Sequence, residues 1–113
     1  MYIIQDKNKA KVAWLRNNII ISIYDEKVIG VTLGHCVFSV NGELIGKIFN
    51  NKFFLSTGKI IGTVINLPVE YEFNELTTLN DAWKIISKIK EHQCIWINET
   101  QVWDTSNFFD HFH

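Results

Sequence analysis

The sequence predicts a mainly β, α+β domain. Four repeated antiparallel β-hairpins are expected around a pseudo-four-fold axis, capped by a C-terminal strand–helix–strand segment. Three observations carry this expectation. A ten-residue pattern recurs four times without gaps before residue 66. Each copy opens on a turn pair and continues into β-branched residues. A single stretch near residue 80 changes to helical spacing.

The four copies are KNKAKVAWLR (7–16), YDEKVIGVTL (24–33), VNGELIGKIF (40–49) and STGKIIGTVI (56–65). Their turn pairs are Asn8-Lys9, Asp25-Glu26, Asn41-Gly42 and Thr57-Gly58. Asn-Gly is the strongest short hairpin signal, because a type I′ turn requires positive φ at both central residues. The sixth column, Val12, Ile29, Ile45 and Ile61, is always β-branched. The seventh, Ala13, Gly30, Gly46 and Gly62, is always small. Nine residues before the small column stand Ile4, Ile21, Val37 and Phe53. Between copies lie further turn pairs, Asn17-Asn18, Gly34-His35 and Asn50-Asn51, each followed by apolar strand residues. The whole reads as eight short strands in up-and-down order.

A glycine inside a strand weakens it unless another backbone must pass close by. Two architectures meet that requirement. Either four hairpins converge at Ala13, Gly30, Gly46 and Gly62, or these residues mark β-bulges in an ordinary barrel. Under the first, Lys11, Val28, Leu44 and Ile60 share a face with the small column, as do Leu15, Thr32, Ile48 and Val64.

The stretches DEKVIG (25–30), VNGELIG (40–46) and TGKIIG (57–62) resemble the bacterial four-fold β-flower family, in which four hairpin petals surround a central axis. The resemblance covers about residues 1–65. Units one and two depart from the pattern by lacking a turn glycine. The resemblance implies a fold and no active residues.

The chain's one proline, Pro68, marks a break. Residues 69–73 (VEYEF) alternate as a half-exposed strand does. Residues 77–92 then read as a helix, with Thr78 and Asp81 as its cap and Leu79, Ala82, Trp83, Ile86 and Ile89 as one apolar stripe. QCIWI (93–97) reads as a strand, with TQVW (100–103) continuing it or pairing with it. The 113 residues thus divide into a repeat core (1–65), a cap (66–105) and a loosely held tail (106–113) within one domain.

Composition limits the function classes. Hydrophobic residues make up 47%, aromatic 13% and charged 20%, which is globular. The formal net charge of −1 disfavours a general nucleic-acid binder. The lysines of the repeat, among them Lys9, Lys11, Lys27 and Lys59, are spread around it, and Glu43 interrupts any ring. The first 65 residues carry +4 and the remainder −5, a split suited to docking on a partner. No apolar run reaches the length of a membrane span and no signal-peptide pattern opens the chain, so the expected location is cytoplasmic. Cys36 and Cys94 sit in apolar surroundings and read as buried, reduced thiols.

No residue set meets the requirements of catalysis. Ser22, Ser39 and Ser56 read as ordinary outward strand residues. His35 belongs to a turn, and Cys36 next to it points to the opposite face. Asp110, His111 and His113 carry zinc-type ligands, but a chain terminus is rarely rigid enough to hold an ion, so no metal and no cofactor are assigned. Trp96 and Trp103 are the candidate interaction surface. The expected function is a non-catalytic interaction or structural module working through a protein partner or self-association. The alternative is a small-ligand binder with its site at the repeat axis or under the helix, and an enzyme ranks last.

Overall fold

A computed structural model of the chain describes residues 1–67, 75–89 and 96–112. Eight antiparallel strands follow one another: β1 (Tyr2–Gln5), β2 (Lys11–Arg16), β3 (Ile19–Ser22), β4 (Val28–Leu33), β5 (Cys36–Ser39), β6 (Leu44–Phe49), β7 (Lys52–Leu55) and β8 (Ile60–Asn66). Each pairs with its neighbours in sequence, and β1 returns to pair with β8, closing a barrel.

Three of the four hairpins share one loop pattern. Lys9, Gly42 and Gly58 adopt positive φ, and their amides donate to the carbonyls of Asp6, Ser39 and Leu55 at 2.8–3.0 Å. This is a turn followed by one left-handed residue, the three-residue hairpin loop. Asn41-Gly42 is therefore not a type I′ pair, since Gly42 alone has positive φ there. In β3–β4 the loop is one residue longer, with Glu26 in the left-handed position and its amide on Ser22 O. That added residue explains the longer first spacing in the sequence. It also moves the partner of Gly30 from Ile21 to Ile20. The reverse connections at Asn17-Asn18 and Asn50-Asn51 hold both residues at positive φ, as type I′ turns require.

Each hairpin also carries a bulge at the same place. Ile4 pairs with Ala13 and Gln5 with Lys11; the same skip occurs at Gly30, Gly46 and Gly62. The skipped residues are Val12, Ile29, Ile45 and Ile61, the β-branched column. A one-residue slip reverses the facing of every residue beyond it. Val12 and Ala13 accordingly both belong to the interior cluster. Val28 and Leu44 lie instead in the cluster beneath the helix, and Ile60 in a third. They do not share the face of the small column, contrary to the simple alternation expected. The small residues are crowded by adjacent backbone. A Cβ on Gly30 would stand 2.7 Å from Phe38 O, and one on Gly46 would overlap Phe54 O.

The barrel is filled, not hollow. Ile4, Ile20, Val37 and Phe53 are fully buried in its interior. The outer face of β3–β5 is covered by α1 (Glu75–Lys88), with Ala82 and Ile85 packed among Ile21, Val31 and Phe38. The stripe differs from the expected one. Ala82, Ile85, Ile86 and Ile89 face the barrel, while Leu79 and Trp83 are 49% and 65% exposed. Since the helix includes Glu75, Thr78 lies inside it and does not cap it. The strand expected at 69–73 lies outside the described residues, as does most of 93–97. Within TQVW, Trp103 bridges to Ile60, whose amide donates to Val102 O at 2.8 Å.

The expectation of a loose tail is corrected for residues 106–112. Phe108 is 4% exposed and belongs to the interior cluster, packed edge-on against Phe53 at 5.9 Å between centroids. Phe112 contacts Phe53 at the same separation. Aromatic rings bury more area per residue than other side chains, so two of them suffice to close the hairpin-turn end of a narrow barrel.

Gly46→Ala is expected to lose about 3 kcal/mol, because backbone must move to admit the methyl. Gly34→Ala, at positive φ with nothing within 4 Å of the added carbon, should lose only about 1 kcal/mol. Urea unfolding of the two variants measures the difference.

Candidate functional site

At the rim of the barrel the returning C-terminal segment leaves a recess of about 330 Å³. Ser39, Glu43, Ser56, Thr57, Asp104 and His111 supply its polar lining, and Leu44, Ile45 and Leu55 its apolar lining. Ser39, Glu43, Ser56 and Thr57 come from two adjacent hairpin connections. Ser39 ends β5, and its amide donates to Glu43 O at 2.9 Å across the loop. Thr57 belongs to the β7–β8 loop, where its Oγ1 accepts from the Lys59 amide at 3.4 Å. Asp104 and His111 are brought by the segment that returns to β8. The Asp104 amide donates to Ile60 O at 2.9 Å, which fastens this segment to β8.

Asp104, Ser106 and His111 form a linked chain. The Ser106 amide donates to Asp104 Oδ1 at 2.8 Å, and the Ser106 hydroxyl donates to the same oxygen. These two bonds, the hydroxyl's first, hold the Asp104 carboxyl below the ordinary carboxylate range; burial opposes them, and the charges of His111 and Lys59 assist. An ionised carboxylate only accepts, so the one hydroxyl proton of Ser106 points to Asp104. The 2.6 Å contact between Ser106 Oγ and His111 Nε2 is then a bond from Nε2–H to the serine oxygen. In a catalytic triad the imidazole takes the serine proton and the carboxylate holds the far ring nitrogen. Here the carboxylate sits on the serine, so this constellation orders a loop and does not activate Ser106.

Ser39 is the exceptional member. It is 2% exposed, and its hydroxyl has no hydrogen-bond partner among the described residues. Ser22 ends β3 in the same way, yet its Oγ accepts from the Tyr24 amide at 3.3 Å within the longer loop. An unpaired buried hydroxyl is unfavourable by about 1–3 kcal/mol. The reading of Ser39 as an outward residue is therefore corrected: it shares the inward face with Val37, two residues earlier. That alternation was the signal available in the sequence. Asp104 and Ser106 carried no comparable signal, because their placement depends on a contact with β8.

The other candidate residues are dispersed. Ala13, Gly30, Gly46 and Gly62 lie within strands and do not line the recess. Trp96 is 88% exposed, and its Nε1 donates to Asn98 Oδ1 at 2.7 Å. Its ring lies 5.9 Å from Lys47 Nζ, which pairs with Glu99 at 2.9 Å. Trp103 is 37% exposed and sits against β8. His111 is engaged by Ser106, His113 lies outside the described residues, and among the described residues no three metal-type ligands converge. His35 stays in its turn, edge-on to Phe49. Cys36 is 1% exposed and disulfide-bonded, not a reduced thiol; the chain's other cysteine, Cys94, lies outside the described residues. Among the described residues no helix is long and apolar enough to cross a membrane.

These features define a small, filled, closed antiparallel β-barrel with one covering helix and a polar recess at its rim. No protein-family model, no curated protein and no solved structure matches the chain.

Because the folded state holds Asp104 below its unfolded pKa, its stabilisation is present above the unfolded value and is lost as pH falls through the folded one. Asp104→Asn should therefore be less stable than the parent at pH 7, and the gap should close in strong acid. Paired urea titrations at pH 7 and in the acid range measure this.

Proposed function

We propose that the protein is a non-catalytic binding module that takes a small polar ligand at the rim recess. The Ser39 hydroxyl supports this reading most directly. A buried donor without a partner is retained at a stability cost, and a ligand atom is the natural partner for it. The recess lies neither on the barrel axis, which side chains fill, nor beneath α1. We also propose that the four hairpins are equivalent petals about a pseudo-four-fold axis, as the β-flower resemblance implies, with α1 and its neighbouring segments as a cap. The matched loops and bulges support this arrangement.

Ser39→Ala tests the ligand reading without knowledge of the ligand. Removing an unpaired buried hydroxyl should raise stability by about 1 kcal/mol. A comparable loss in urea unfolding would mean that the hydroxyl is already satisfied in the free protein, and the reading would fail.

A second reading, the interaction module, is favoured by the exposed apolar side chains of α1. Leu79 and Trp83 stand one helical turn apart and away from the barrel. Self-association through this face predicts a mass that rises with concentration in light scattering and a monomeric Trp83→Ala variant; a parent that stays monomeric throughout removes this reading. The cytoplasmic location expected from the sequence stands in tension with the disulfide at Cys36, since such bonds persist mainly in oxidising compartments.

A further inference from the structure

We infer that the ligand of the rim recess is a small hydroxylated organic cation, an ammonium group on a polyol-like frame; this rests on the recess being a binding site. The charge of the lining carries the first part. Two carboxylates, Glu43 and Asp104, line the recess, and among the described residues no lysine or arginine does. Lys59 stands near enough to act on Asp104 but is not part of the lining. Anionic ligands would meet unfavourable charge from the two carboxylates, and a cationic group finds an acceptor in either.

Asp104 is prepared for this role. Both bonds from Ser106 fall on Oδ1, so Oδ2 keeps its accepting capacity. An ammonium has three N–H donors and no acceptor, which suits a lining dominated by acceptors.

The hydroxylated frame follows from the remaining polar groups. Ser39, Ser56 and Thr57 each offer a hydroxyl, which both donates and accepts, as do the hydroxyls of a polyol. The buried Ser39 hydroxyl discriminates most strongly, because it has no other partner among the described residues. A bare metal ion is a poor occupant: the recess holds roughly ten waters' share of liquid volume, and Leu44, Ile45 and Leu55 give it apolar walls. Those walls fit the carbon skeleton of a small organic molecule.

Three probes of one ring size separate the alternatives: glucosamine, glucose and glucose 6-phosphate. Each is titrated at millimolar concentration into the full chain, and backbone amide shifts of Ser39, Glu43, Thr57, Asp104 and His111 are followed. The expected result is saturable binding of glucosamine, with glucose and glucose 6-phosphate at least about tenfold weaker. Glu43→Gln and Asp104→Asn should each weaken glucosamine about tenfold and leave glucose unchanged. Glu43→Gln serves as the control for any loosening of the Asp104 loop. Glucose or glucose 6-phosphate binding in the recess as tightly as glucosamine would overturn the cationic assignment while leaving the recess as a site. No saturable shifts with glucosamine would also overturn it, and the stability of Ser39→Ala then decides separately whether the recess is a site at all.

Discussion

Closure of a narrow barrel from short strands depends on backbone bending, and the bulges supply it. Strands of four to seven residues must coil tightly enough for β1 to meet β8. Each hairpin bends by one extra residue at Val12, Ile29, Ile45 or Ile61, which locally increases the right-handed twist. The next strand then approaches so closely that Gly46 tolerates no Cβ. The β-branched residue at the bulge fills the interior that this curvature creates, and the small residue after it clears the path of the neighbouring chain. Both columns of the repeated pattern thus have one cause. An interior of this width is filled by side chains alone, which leaves the rim as the place where a site can form.

Much of this was legible in the sequence. The strand count, the up-and-down order and the turn positions follow from local chemistry: asparagine pairs, glycine after asparagine or threonine, and β-branched runs. The facing of residues beyond each bulge was not legible, because one skipped residue inverts the alternation and nothing in the spacing of Lys11, Val28, Leu44 and Ile60 shows the skip. The helix was recognisable as a helix, but its buried stripe was misplaced by Trp83. A large apolar residue suggests burial, yet the barrel surface meets Ile85 and leaves the indole in solvent. Half of the candidate site was within reach, since Ser39 follows Val37 on the same face. The other half depends on residues 104–111 returning to β8, a long-range contact with no local signature.

That return also gives the C-terminal segment two tasks. Its phenylalanines complete the interior, and its polar residues complete the recess. The two are mechanically joined: Phe108 and Phe112 seat the segment against Phe53, and the bonds of Ser106 to Asp104 and His111 set the polar groups a few residues away. The disposition of the site's acceptors is thereby tied to the packing of the core.

The order of these parts along the chain has a consequence for biosynthesis. The rings that plug the barrel follow every strand they rest on, so a nascent polypeptide that has already emitted all eight strands still exposes Phe53 at an unsealed mouth. The native state is reached only after the last aromatic residues clear the ribosomal tunnel.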